Sequence, residues 1–288
     1  MDNNLCGILI ADKPEGFTSF DVAAVTRKAV GTKRIGHTGT LDPMATGVLP
    51  LLIGRATTAL VLIENTDKEY VAKIKLGSAT DTLDRTGQIT AVSDKKTTEA
   101  AFCEALKSFC GTIAQIPPMY SAVKQNGKKL YELAREGKTV ERESRTVTIY
   151  ENELLDFDET AQTATIRVFC SKGTYIRTLA DDLGKKLGTY AHLEALRRTK
   201  ACGFDESEAV SIDNIRSGNF SLIPLERLFL SLPIITLDKD GEKLWRNGVR
   251  QRFPNLTDGR YRIYTENGFI ATGKMSDGEL QIEKNFIL

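Results

Sequence analysis

Residues 36–47 read Gly-His-Thr-Gly-Thr-Leu-Asp-Pro-Met-Ala-Thr-Gly, a segment whose three glycines and Asp-Pro step read as a loop. The three glycines admit backbone conformations that a side chain forbids, and they let another molecule approach closely. Asp42 precedes Pro43, where the helical region is disfavoured, so its carboxylate belongs to a turn or a helix entry. Local residues leave two readings open. Asp followed by Pro is a common N-cap pairing, with Pro at the first helical position. The alternative is a site: a carboxylate held on a glycine-bounded loop beside His37, one of two histidines in the chain.

The rest of the chain alternates strand and helix signals around this loop. Residues 7–11 form an apolar strand ended by a turn, and Thr18 or Ser19 caps a helix through Val30 that Gly31 stops. Residues 48–53 read as a strand and 56–63 as a helix. Tyr70, Ala72, Ile74 and Leu76 alternate onto one strand face. Asp81 and Asp84 imitate the start of a calcium loop, but the remaining ligand positions are missing, so they take turn and cap roles. Thr98 caps a helix closed by Gly111. Two prolines at 117 and 118 keep residues 116–124 out of regular structure. A short basic helix at 128–136, paired strands at 145–157 and 163–170, and a helix carrying Leu179, Leu183 and Leu187 up to Gly188 follow. If Tyr175 and Arg177 lie on a strand end, their spacing places both on one face.

Beyond about Pro233 the turn signals Asn247-Gly248, Asp258-Gly259, Asn267-Gly268 and Asp277-Gly278 come densely, as in a small all-β module of hairpins. A chain of 288 residues suits one large and one small domain, with the boundary between Ser217 and Leu237. Hydrophobic content of 41% and charged content of 27% are those of a folded soluble protein. No apolar run is long enough to span a bilayer, and Met1-Asp2-Asn3-Asn4-Leu5-Cys6 lacks the pattern of an export signal. The five cysteines are odd in number and lack Cys-x-x-Cys spacing, which argues against disulfides or zinc and for a reducing cytoplasm. Cys103 and Cys110, seven apart in a helical pattern, read as core. The net charge of +1 does not advertise a nucleic-acid partner, although basic residues cluster at Lys124, Lys128, Lys129 and Arg135, and again at 197–200.

Several chemistries drop out. No phosphate-binding loop, no Gly-x-Ser-x-Gly elbow and no dinucleotide fingerprint is present. The Gly36-x-x-Gly39 match to a KH clamp is short and lies in the wrong helix pattern. What remains is a site of carboxylate, arginine and aromatic groups, without cofactor or metal.

The segment from Gly36 to Thr57 resembles the catalytic motif of the TruB family of tRNA pseudouridine synthases. Further family motifs occur in order: Asp12-Lys13-Pro14, Lys68-Glu69-Tyr70, Leu76-Gly77 through Thr80-Asp81-Thr82, Ile116 to Ala122, Ser171 to Arg177, and His192-Leu193 through Thr199. The resemblance implies an α+β pseudouridine synthase fold: a mixed, largely antiparallel central sheet flanked by helices, with a small C-terminal PUA-like domain. It implies a catalytic domain over 1–230, with an RNA-binding thumb at about 117–147, and an RNA-binding domain over 231–288. The implied reaction is cofactor-free isomerisation of uridine to pseudouridine at position 55, in the T-loop of tRNA. Asp42 would be the catalytic nucleophile or base, and electron deficiency at the sugar is what a carboxylate can capture or stabilise. Arg177 would orient and ionise it. Tyr70 would stack on the target base and assist proton transfer; Tyr175 would contact the substrate, Leu196 line the uracil pocket and His37 help open the RNA loop. Lys124, Lys128, Lys129 and Arg135 would touch the RNA backbone. The implied partner is tRNA, through its T-arm and acceptor region, bound by a cytoplasmic monomer with no membrane and no metal. The alternative is a non-catalytic RNA-binding or tRNA-folding protein on the same scaffold.

Overall fold

The computed structural model describes residues 5–125 and 127–286. The reading of Met1–Asn4 as lacking an export signal lies outside the described residues, as do Asn126 of the expected thumb and the outer ends of the two expected domains. The chain is built on a mixed sheet whose strands run in the order Val210–Ser211, Cys6–Lys13, Thr46–Gly54, Ala191–Ala201, Lys68–Leu76, Thr163–Cys170, Arg145–Asp158 and Gly111–Gln115. Most neighbours are antiparallel. Ala191–Ala201 runs parallel to Thr46–Gly54, and Val210–Ser211 parallel to Cys6–Lys13.

Sequence patterns explain where these elements begin and how they face. The helix Ser19–Val30 starts at Thr18, whose side chain accepts from the Asp21 amide at 3.1 Å while the Asp21 carboxylate accepts from the Thr18 amide at 2.8 Å; this reciprocal cap satisfies two donors that a helix start leaves free. Along Lys68–Leu76 every second residue is buried, as the alternation of Tyr70, Ala72, Ile74 and Leu76 demands. Helices Glu99–Lys107 and Ile176–Lys186 cover one face of the sheet, burying Phe102, Leu106, Leu179 and Leu183 against Ile74, Ile166 and Val168.

The C-terminal sheet runs Ile234–Thr236, Gly259–Thr265, Gly268–Ser276, Glu279–Asn285 and Gln251–Arg252, around Trp245, Ile263, Met275 and Leu280. Phe286 leaves this sheet to stack on Phe229 of the larger body, ring centroids 5.9 Å apart.

Five local readings change. Asp42 caps no helix: its carbonyl accepts from the Ala45 amide at 3.0 Å, closing a turn that feeds directly into Thr46–Gly54. The helix read at 56–63 is present as a 3-10 helix with shifted ends, Arg55–Val61. Asn247-Gly248 ends the helix Lys239–Arg246 instead of turning a hairpin, since a glycine with positive φ serves both purposes. Tyr175 and Arg177 lie at a helix start, not on a strand end, with Tyr175 as the N-cap. Cys103 is only partly buried and Cys110 is exposed, because the helix stops at Lys107 and leaves Cys110 beyond it.

Candidate active site

The turn that carries Asp42 is held at four points, three of them buried side chains. Ser19, at the start of the first helix, accepts from the Leu41 amide at 2.9 Å. Lys13, at the end of the first strand and fully buried, donates to the carbonyls of Pro14, Phe17 and Pro43. Burial pushes the Lys13 ammonium down to about 8, an effect that the Asp42 carboxylate partly opposes. Arg198, also fully buried, donates from Nε to the Val48 carbonyl at 2.7 Å and from Nη2 to Gly39 at 3.2 Å. The fourth point is Asp42 itself.

The Asp42 carboxylate meets Arg177 side-on: Nε lies 2.9 Å from Oδ2, and Nη2 donates to Oδ1 at 3.1 Å. This fork geometry fixes both the position and the orientation of the carboxylate. The remaining donors of Arg177 reach the carbonyls of Tyr120 at 2.7 Å and Thr82 at 3.2 Å, and Nη1 lies 3.5 Å from Asp84. Asp84 is buried and accepts from Thr82 Oγ1 and from the Thr86 amide and hydroxyl. Its turn role therefore coexists with a second, ionic one that the spacing of residues did not reveal. Asp81 does not join the cluster and accepts from the Gln88 amide at 2.8 Å.

About a third of the Asp42 side chain opens onto solvent, yet protein encloses its other sides. Withdrawal from bulk water pushes the carboxyl above its ordinary value; Arg177 pulls it back, and the nearby Asp84 charge pushes it up again. Desolvation and an opposing cation are thus in direct competition at this one group.

Asp42 and Arg177 line two cavities. The smaller, about 320 Å³, is walled by Tyr70, Tyr175, Leu196 and Lys68. Tyr70 and Leu196 are almost wholly buried, so they offer an apolar face rather than an open surface. Burial raises the Tyr70 phenol above its ordinary value, which keeps its proton on at neutral pH. Tyr175 is fixed through its backbone: its amide donates to Gln115 Oε1 at 3.0 Å and its carbonyl accepts from Gln115 Nε2 at 3.3 Å. The larger cavity, about 860 Å³, is lined by His37, Phe20, Lys129, Tyr131 and Arg135. His37 Nδ1 is buried and bonds no protein group among the described residues; burial first, and Arg198 second, push the imidazole down from its ordinary value, favouring the neutral ring.

The sequence-derived residues thus divide. Asp42, Tyr70, Tyr175, Arg177 and Leu196 converge on the smaller cavity, and His37, Lys129 and Arg135 line the larger one. Lys124 and Lys128 are exposed and line neither; Lys128 lies 3.6 Å from Glu136. Ser19, Asp84, Gln115 and Arg198 were not singled out from sequence as positioning groups. Arg198 stands inside a quoted motif, but nothing in the sequence announces that a charged side chain there is fully buried.

Residues 27–176 match the family model described as TruB family pseudouridylate synthase (N terminal domain), and residues 177–221 match the tRNA pseudouridylate synthase B C-terminal domain. The chain is 44% identical over 291 residues to the tRNA pseudouridine synthase B of Francisella tularensis subsp. novicida (strain U112), with 98% of this chain and 95% of that protein covered. It is 43% identical, with the same coverage, to the protein of that name from Francisella philomiragia subsp. philomiragia. Among solved structures it superposes on a chain of a Cbf5-Nop10-Gar1 complex with a TM-score of 0.72, at 27% identity, covering 98% of this chain and 85% of that one. A chain of an H/ACA RNP bound to a substrate RNA containing 2′-deoxyuridine shares the fold at the same TM-score and coverage, at 24% identity.

Proposed function

The chain belongs to the TruB family of pseudouridylate synthases and isomerises uridine in tRNA; we propose that its target is uridine 55 in the T-loop, with Asp42 as the group that performs the chemistry. The observation that carries this reading is the side-on Asp42–Arg177 pair at the junction of two cavities. The smaller cavity takes the extruded uracil, stacked on Tyr70 and packed against Leu196, with Tyr175 beside it. The larger cavity takes the adjoining RNA. Extruding a base costs a few kcal/mol of stacking and pairing, which pocket contacts recover.

With the base in place, the ribose C1′ faces Asp42. The C1′–N1 bond breaks and its electron pair passes to the ring. The ionised carboxylate answers the electron deficiency at the sugar, as nucleophile at C1′ or as base toward the sugar proton. The ring then turns and C5 bonds C1′; one proton leaves C5 and one is gained at N1, so the change is an isomerisation. Arg177 keeps Asp42 ionised and aimed before the bond breaks, and the carboxylate is regenerated once C5 has bonded C1′. A protonated Tyr70 serves as stacking face and hydrogen-bond donor.

The same reading assigns His37 to holding the opened RNA loop. Residues 117–147 act as a thumb, with Lys124, Lys128, Lys129 and Arg135 on the RNA backbone. The C-terminal sheet, within 231–288, acts as a PUA-like module for the acceptor end, and the protein works as a cytoplasmic monomer. Asp42→Asn assayed on a T-arm hairpin tests the centre of the proposal. Loss of pseudouridine formation is expected, and a rate comparable to wild type would overturn the role of Asp42. Mapping pseudouridine in tRNA from cells with and without the protein tests the position.

A further inference from the structure

Lys68 lies at the wall of the smaller cavity with Gly39, Tyr70 and Leu196, and it is 8% exposed. A lysine this buried is ordinarily paired with an acid. Among the described residues its ammonium donates to the Thr66 carbonyl at 2.6 Å and forms no ion pair. The nearest carboxylate, Asp67, favours the charged form but makes no ion pair with it, and its effect is small beside that of burial. Arg198, fully buried, adds a second cation beside it, and its Nη1 bonds nothing among the described residues. Burial pushes the adjacent Cys170 thiol up to about 11, which leaves it neutral. The loop passes directly over the lysine stem: a Cβ at Gly39 would sit 3.1 Å from Lys68 Cε and 3.9 Å from Nζ. A side chain at 39 would press on the lysine end, whereas glycine leaves it where it lies.

We propose that Lys68 is a further catalytic residue, whose ammonium donates to a carbonyl oxygen of the detached uracil and stabilises the negative charge that this ring carries. The inference rests on the uridine reading above. When the C1′–N1 bond breaks, the electron pair spreads over N1 and the two carbonyl oxygens. Lys68 keeps its proton and donates a charge-assisted hydrogen bond; no further reactant is needed. Burial without an ion pair also explains why this contact favours the transition state. Burial lowers the affinity of the Lys68 amine for its proton, so the cation is poorly solvated until an anion forms beside it. An interaction that strengthens as charge develops accelerates the chemical step rather than merely tightening binding. Tyr70 and Leu196 keep water out of the contact, which raises its strength.

The test compares wild type and Lys68→Met in single-turnover assays on a T-arm hairpin whose target is uridine, 2-thiouridine or 4-thiouridine. Sulfur accepts hydrogen bonds weakly, so one of the two thio-substitutions should slow the wild type more than the other. Lys68→Met should slow the uridine reaction by about 10² to 10³-fold, the usual loss for one such donor, with RNA affinity changed less than about twofold. In that variant the larger thio penalty should vanish. Equal thio penalties in wild type and variant would overturn the proposal, since a lysine that only braces the loop has no reason to distinguish the two atoms. If Lys68→Met does not fold, Lys68→Leu, which likewise has no donor, carries the same comparison. Failure of wild type to convert the unmodified hairpin would instead remove the uridine reading, and this inference with it.

Discussion

Asp42 and Arg177, 135 residues apart in sequence, are joined by two parallel contacts of 2.9 and 3.1 Å. The partnership has a directional consequence. In the proposed chemistry Asp42 acts ionised; burial raises its pKa, and Arg177 lowers it. The acid limb of the single-turnover rate against pH should therefore sit above the ordinary carboxylate range, with activity lost as pH falls through it. Removing the guanidinium in Arg177→Met takes away the lowering influence, so the limb should move further up. The rate on the plateau should fall by about 10²-fold or more, because the carboxylate also loses its aim. An unmoved limb would mean that Arg177 does not set the ionisation of Asp42.

Asp84 is expected to act through Arg177, since the two approach to 3.5 Å and both are buried. Asp84→Asn keeps the shape of the Thr82–Thr86 turn but removes the charge that shares the guanidinium with Asp42. The rate should drop by roughly tenfold with RNA affinity unchanged. An effect on the Asp42 pKa should also be visible. Asp84 raises it directly, so the acid limb of Asp84→Asn should shift down, opposite in sign to Arg177→Met. A matching shift in both variants would separate neither role.

What the residues disclosed, and what they did not, follows from how far each signal reaches. The alternation in 68–76 gave the right strand because one face of it is buried. The residues of 36–47 pointed to Asp42 but left a helix cap open. The choice depended on the strand Thr46–Gly54 starting at once, which a sheet partner enforces and local residues do not. The Asp42–Arg177 meeting is a tertiary fact, legible only through the order of family motifs. Lys13, Lys68 and Arg198 were least legible as buried groups. Charged side chains are normally solvated, and only the folded neighbourhood shows these three enclosed around the turn that carries Asp42.

Gly47 should be intolerant of any side chain. Its φ is 103°, which L residues rarely adopt, and a Cβ there would lie 2.2 Å from the Arg198 carbonyl oxygen. Neither atom can yield, since both belong to paired strands. Gly47→Ala should cost about 3 kcal/mol or more, combining backbone strain with a core clash. Gly16 is the control: its φ is 83° but nothing lies within 4 Å of an added Cβ, so Gly16→Ala should cost about 1 kcal/mol. Denaturant melts of the two variants check the contrast, and equal losses would show that φ alone decides.

The basic residues of the thumb should not contribute equally to RNA affinity. Lys129 and Arg135 line the larger cavity, and each lies over the Tyr131 ring at 5.4 Å, so both are held toward the space that RNA would occupy. Lys128 is exposed, lines neither cavity and already lies near Glu136. Each phosphate contact to single-stranded RNA releases counterions and adds about 0.7 to the slope of log affinity against log salt. Lys129→Gln and Arg135→Gln should each flatten that slope by about 0.7, measured with a T-arm hairpin between about 50 and 200 mM salt. Lys128→Gln should change it less, because its charge is partly neutralised before RNA arrives. Equal slopes for all three variants would mean that the thumb acts as a diffuse positive surface, without the placement that Tyr131 gives its neighbours.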